Sequence, residues 1–150
     1  MTAPILLLLH GANLNLLGQR EPHIYGSATL ADYESETRSA AARFGIEVEA
    51  FQSNHEGALV DAIGAARSRC AAILINPGAF THYAWSIHDA LAAFDGPIVE
   101  VHISNPNARE AWRHTSVVSP VATGTIVGFG MVGYGLAVQA IAAKLGCSAS

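Results

Sequence analysis

The chain reads as an α/β domain with a doubly wound parallel sheet and helices on both faces, and three observations lead to that class. Five short apolar runs have the length and composition of buried strands. Stretches of helical periodicity alternate with them, which implies parallel strands joined by right-handed crossovers. The polar residues that fit no core position gather just after strand ends, at Asn13 and Asn15, at 76–82 and at 102–113. Ligands bind at that carboxyl edge in open α/β sheets, so separate weak signals become one site hypothesis.

Taken in order, residues 5–10 form an unbroken apolar run closing in His-Gly, the pattern of a strand buried on both faces. Residues 11–26, GANLNLLGQREPHIYG, are too long for an ordinary strand-to-helix turn. Loops of this length are often functional; Arg20 and Tyr25 either reach over a site or decorate a surface loop. Residues 29–44 repeat Leu30, Tyr33, Thr37, Ala41 and Phe44 at helical spacing, and Gly45 ends them. Residues 46–51 alternate, with Glu47 and Glu49 on one side, which suits a strand near the sheet edge. Gln52-Ser53-Asn54 supplies a turn and a cap for a helix over 55–69, with Leu59, Ile63 and Ala66 inward.

A third strand over 71–75 leads into Asn76-Pro77-Gly78-Ala79, and a helix follows over 83–94. Residues 97–104, PIVEVHIS, are the fourth strand, and its alternation puts Glu100 and His102 on one face and Val99, Val101 and Ile103 on the other. A carboxylate beside an imidazole fixes its tautomer and stabilises its protonated form, which suits a proton donor. The same pair also serves as a satisfied polar contact at a strand end. The last strand is expected over 121–127 and the last helix from about 131 to 145.

A length of 150 residues is one domain, 1–150, with enough chain to bury its own core. Hydrophobic residues make up 51% and charged ones 13%, so part of the surface is expected to lie against other subunits. A net charge of −4 with scattered arginines argues against a nucleic-acid partner, while leaving small anions open to local arginines and backbone amides. Cys70 and Cys147 have neither metal nor disulfide-framework spacing, which fits a reducing, cytoplasmic setting. The amino terminus lacks a basic segment and cleavage site, and residues 5–9 are too short to span a bilayer. Residues 125–143 carry no charge, but Gly128, Gly130, Gly133, Gly135 and Gln139 favour a strand-turn-helix unit, so no membrane partner is expected.

Gly128, Gly130 and Gly133 spell G-x-G-x-x-G between a strand and a helix. A dinucleotide site needs a further strand and an acid about 20 residues on. No Asp or Glu follows Glu110, so the glycines are assigned to close helix–strand or subunit packing. No nucleophile elbow, phosphate loop or zinc-helix motif occurs, and no histidine pairs at ligand spacing, so no metal is expected. Lys144 is the one lysine, at the end of the last helix, which disfavours Schiff-base chemistry.

Five ordered motifs, N-L-N-L-L-G-x-R-E-P-x-I-Y-G, F-Q-S-N-H-E-G, I-N-P-G-A-F-T-H-Y, P-I-V-E-V-H-I-S-N and G-F-G-x-x-G-Y, make the chain resemble type II 3-dehydroquinate dehydratase from its first strand to its last helix. The resemblance implies a flavodoxin-like fold of five parallel strands, a dodecamer built as a tetramer of trimers, no cofactor, and conversion of 3-dehydroquinate to 3-dehydroshikimate and water. Such an elimination needs a base, an enolate stabiliser and an acid for the departing hydroxyl. By resemblance Tyr25 is the base; a free phenol has a pKa of about 10, and Arg20 beside it favours the phenolate. Asn76 matches the residue that positions a water on the enolate. His102 matches the general acid with Glu100 as its partner, and Asn13 holds the floor of the site. Substrate contacts carry over onto Asn76, His82, Asp89, Ile103, Ser104 and Arg113. Backbone N–H groups and the Ser104 hydroxyl are expected on the carboxylate; His82, Arg113 and Asp89 are expected on ring hydroxyls, with Asp89 reaching in from a neighbouring subunit.

Two positions depart from the family pattern. Gly11-Ala12-Asn13 stands where Gly-Pro-Asn is common, which removes a fixed φ at the start of the lid. Pro106-Asn107 stands where an Ile-His pair is frequent. The competing class is a non-catalytic flavodoxin-like module that carries flavin or nucleotide; a yellow protein, or a thermal shift with flavin but none with dehydroquinate, would favour it.

Overall fold

The computed structural model describes residues 2–150 and contains a five-stranded, all-parallel sheet in the order β2-β1-β3-β4-β5. The strands are β1 (Ile5–His10), β2 (Glu47–Gln52), β3 (Ala72–Asn76), β4 (Ile98–His102) and β5 (Gly124–Val127). Strands β3 and β4 are buried throughout, as a continuous apolar run requires when helices cover both faces. The edge strand β2 instead alternates, with Glu47, Glu49 and Phe51 outward. Charged residues along an unpaired edge also discourage a further strand from adding there.

Five α-helices complete the layers: α1 (Pro22–Tyr25), α2 (Leu30–Ala42), α3 (Glu56–Ala66), α4 (Trp85–Ala92) and α5 (Val132–Leu145). Alternation along the strands sends Leu6, Leu8, Leu74, Val99 and Val101 to one face, where Tyr33 and Ala41 of α2 and Tyr134, Val138 and Ile141 of α5 cover them. Leu7, Leu9, Ile73, Ile75 and Ile98 point to the other face, under Leu59 and Ile63 of α3 and Ile87 and Leu91 of α4. Each fully buried leucine or isoleucine of these layers contributes about 1.5–3 kcal/mol of transfer free energy. A doubly wound core results, and no helix of the described residues is long and apolar enough to cross a membrane.

The chain leaves β1 towards β2 and returns across it to β3, so the strand order reverses between β1 and β3. Their carboxyl ends, His10-Gly11 and Asn76-Pro77, therefore open the crevice where this architecture binds ligands. The two segments pack backbone to backbone, with the Gly11 N–H donating to the Asn76 carbonyl at 2.7 Å. A Cβ on Gly11 would sit 2.1 Å from the Pro77 carbonyl oxygen. Gly11→Ala is thus expected to cost about 1–3 kcal/mol, since backbone rather than a flexible side chain must move, and to lower turnover by spreading the site; urea midpoints and initial rates check both.

Three local readings change in three dimensions. The fifth strand begins at Gly124, because Pro120 lies in a 3-10 turn over Ser119–Val121 that feeds Val121 into the α3/α4 core. Residues 11–26 contain a 3-10 turn at Leu14–Leu16 as well as α1, which starts on Pro22 and ends at Gly26 with φ of 79°. Residues 52–54 do not cap α3: His55 occupies the cap position without a side-chain cap, while the Asn54 Oδ1 accepts from the Asn13 N–H at 2.8 Å. The cap of α2 is complete, with Thr29 and Asp32 forming a reciprocal capping box. Gly133 rests 3.4 Å from Ile126 and 3.5 Å from Val101, measured from where a Cβ would be, so this glycine serves close helix–strand packing.

Candidate active site

One crevice at the carboxyl edge is lined by Asn13, Arg20, Tyr25, Asn76, His82, His102, Ile103, Ser104, Arg109 and Arg113. Strand ends supply Asn76 and His102; the long loop after β1 supplies Asn13, Arg20 and Tyr25; the 3-10 turn after β3 supplies His82, and the irregular segment after β4 supplies Ile103, Ser104, Arg109 and Arg113. Glu100 lies one layer behind, fully buried, and Asp89 is exposed on α4 outside this lining.

Glu100 and His102 share a face of β4, and the His102 Nε2 meets the Glu100 carboxylate at 2.6 Å. The contact leaves Nδ1 for a ligand in the crevice. Glu100 also accepts from the Ser119 hydroxyl at 2.6 Å and from Thr81 and Ser116. Burial pushes this carboxyl up, but the His102 contact and the Ser119 and Thr81 hydrogen bonds together hold it below the usual carboxylate range. An anionic Glu100 accepts from Nε2–H and so fixes the tautomer of the ring.

Tyr25 is half-buried on α1. Its hydroxyl accepts from the Arg109 guanidinium at 2.8 Å, and the same nitrogen reaches the Ser104 hydroxyl at 3.2 Å. Both Arg109 and Arg20 lie 5.4 Å from the centre of the tyrosine ring, and Arg20 also pairs with Glu21 at 3.4 Å. Arg109 is therefore the cation that touches the phenol oxygen, and it ties the loop over the site to the end of β4. Residues 104–123 carry no strand or helix periodicity, so nothing in the local sequence pattern singles Arg109 out. Its one available signal was an arginine within a turn of the carboxyl edge in a chain with few cations.

The Asn76 amide is oriented at both ends: Oδ1 accepts from the Gly78 N–H at 3.1 Å and Nδ2 donates to the Tyr134 hydroxyl at 3.0 Å. His82 donates from Nδ1 to the Thr115 carbonyl at 2.7 Å, which leaves Nε2 for the crevice. Arg113 stacks 4.0 Å over Trp112 and pairs with Glu110 at 2.6 Å. Asn13 adopts a left-handed backbone, φ 68°, a conformation asparagine tolerates, and its N–H is held by Asn54. The remaining contacts stabilise the shape: His10 at the end of β1 is fully buried with Nε2 at 3.0 Å from Glu34.

Burial lowers the His10 pKa to about 4 in spite of that carboxylate. An unfolded histidine titrates near 6.5, so between these values the unfolded chain binds more protons and stability falls as pH drops. Between pH 7.5 and pH 5 this costs about 2 kcal/mol. Urea unfolding at the two pH values is expected to show that loss in the parent protein and to show it reduced in His10→Asn.

Three comparisons bear on this arrangement. The family described as dehydroquinase class II matches residues 4–142. A catabolic 3-dehydroquinase of Aspergillus oryzae is 56% identical over 137 residues, covering 91% of this chain and 90% of that one. A 3-dehydroquinate dehydratase of Anoxybacillus flavithermus is 53% identical over 135 residues, with 90% and 91% covered. Among solved structures, the type II dehydroquinase of Propionibacterium acnes superposes with a TM-score of 0.90 at 42% identity, covering 95% of this chain and 98% of that one.

Proposed function

The chain belongs to the class II dehydroquinase family, and from that premise we propose how its crevice converts 3-dehydroquinate to 3-dehydroshikimate and water. It is an enzyme, a 3-dehydroquinate dehydratase. The observation that carries the mechanism is the pairing of two differently supported proton carriers on one crevice, a phenol against Arg109 and an imidazole against Glu100.

The substrate places an acidic C–H beside its ketone and a hydroxyl one carbon further on. Tyr25, as phenolate, takes the carbon-bound proton, and the electron pair moves onto the ketone oxygen as an enolate. Arg109 and Arg20 stabilise the negative charge on the phenol oxygen before transfer. Asn76 holds a water against the enolate oxygen, in the manner of a preorganised oxyanion donor. When the enolate collapses, the C–O bond breaks and protonated His102 gives its proton to the departing hydroxyl, which leaves as water. Two steps on opposite sides of the ring make an anti elimination without a cofactor. Ser104 and the backbone N–H groups near Ile103 hold the carboxylate, His82 and Arg113 hold ring hydroxyls, and Asn13 shapes the floor.

The same reaction serves aromatic biosynthesis in the shikimate pathway and quinate breakdown, and these residues suit either. The free thiols of Cys70 and Cys147 fit a cytoplasmic setting. Assembly as a dodecamer, a tetramer of trimers, is supported by the exposed Tyr83, Trp85, Trp112, Phe129 and Val132. Asp89, outside its own crevice, then reaches the ring-hydroxyl end of a neighbour's site. Sedimentation is expected to give a species near twelve times the 15.7 kDa chain mass; a monomer retaining full turnover removes both the assembly and the role of Asp89.

Dehydration creates a conjugated enone that the substrate lacks. Purified protein mixed with 3-dehydroquinate is therefore expected to raise ultraviolet absorbance, and a folded protein that produces no rise refutes the mechanism at its first step.

A further inference from the structure

His10 and Tyr134 are both fully buried behind Asn76, and each has one unmet hydrogen-bonding need. The Glu34 carboxylate accepts from the His10 Nε2–H, so Nδ1 is a bare acceptor, and among the described residues it has no partner. The Tyr134 hydroxyl receives the Asn76 Nδ2–H, and the Asn76 amide cannot turn round because Oδ1 is engaged by the Gly78 N–H. Tyr134 must then point its own proton elsewhere, and no acceptor for it lies within hydrogen-bond reach among the described residues. A buried hydroxyl proton and a buried bare nitrogen are complementary.

The fold also sets both of them against Asn76. His10 and Asn76 are register partners on adjacent parallel strands. Both continue the strand face of Leu8 and Leu74, which α2 and α5 cover. Tyr134 of α5 packs edge-on to Tyr33 of α2 at 5.0 Å, and Glu34, the partner of His10, is the next residue. Polar groups left in such a setting are commonly joined by a buried water.

We propose that His10 is a positioning residue for Asn76, acting through one buried water that accepts the Tyr134 hydroxyl proton and donates to His10 Nδ1. The chain Glu34, His10, water, Tyr134, Asn76 holds the amide in the orientation that addresses the enolate water. The inference rests on the reading of Asn76 given above. It makes His10 matter to the chemical step although it touches no substrate.

The test compares His10→Asn, whose Oδ1 overlays Nδ1 and keeps the acceptor, with His10→Leu, which removes it, and with Tyr134→Phe. His10→Leu and Tyr134→Phe are each expected to lower kcat about tenfold, the scale of one lost hydrogen bond, with KM changing less. The double variant is expected to be no worse than either single one, and His10→Asn to remain near the parent. Fully additive losses, or a folded His10→Leu protein with parental kcat, overturn the proposal. Nitrogen-15 spectra of histidine-labelled protein give a readout independent of turnover. The His10 Nδ1 resonance is expected at a hydrogen-bonded position and to move towards the free-acceptor position in Tyr134→Phe. An unmoved resonance overturns the link even where the parent enzyme dehydrates its substrate, and a parent that does not turn over places the failure in the reaction itself.

Discussion

Tyr25→Phe is expected to lower kcat by about 10³-fold, within the range of a positioned acid or base, while a competitive ligand still binds with nearly parental affinity. Phenylalanine keeps the ring packed between Arg20 and Arg109 and removes only the oxygen that Arg109 touches. The loss should therefore fall on the chemical step, with kcat and kcat/KM declining together. Stopped assays of turnover beside calorimetric titration of the ligand separate the two quantities. Near-parental turnover would remove Tyr25 as the base. Arg109→Ala supplies the control on cause: it leaves the phenol in place without its cationic partner, and a smaller loss of about 10² is expected.

The second large effect lies on the opposite proton carrier. His102→Ala is expected to lower kcat by about 10²–10³-fold because no other ionisable group in the crevice is both backed by a buried carboxylate and set on a rigid strand end. Glu100→Gln is expected to lose less, about tenfold. The amide can still fill the site under Ser119 and Thr81, but it no longer offers an anion to the imidazolium. Pre-steady-state traces with His102→Ala should show the enolate step proceeding and the loss of hydroxyl slowed. A normal rate of water loss in that protein would sink the acid assignment.

How far the site was legible follows from which residues obey a period. Glu100 and His102 lie two apart on an apolar strand, so their meeting follows from alternation alone. Leu59, Ile63 and Ala66 face inward on α3 as the helical spacing requires. Asn76, His82 and Ser104 lie in motifs whose resemblance to a family pointed to them, and all three line the crevice. Arg109 obeyed no pattern: it sits in a segment of 3-10 turns, where neither period applies, and its meeting with Tyr25 spans 84 residues of chain. The expected cap at 52–54 failed for a related reason. Asn54 has the right side chain for a cap, but the neighbouring loop after β1 presented an N–H that competed for it.

By itself the sequence determined the layered class, the five strands, and the edge at which polar groups gather, because burial on both faces writes continuous apolar runs and crossovers write helical periods between them. Only the tertiary structure decided the strand order, the choice of Arg109 over Arg20 as the cation on the phenol, and the burial of His10 alongside Asn76. Those are matters of which distant segments end up a few ångströms apart. A hydrogen bond depends on distance and direction in space, and residues far apart in the chain carry no local period that records where they will meet.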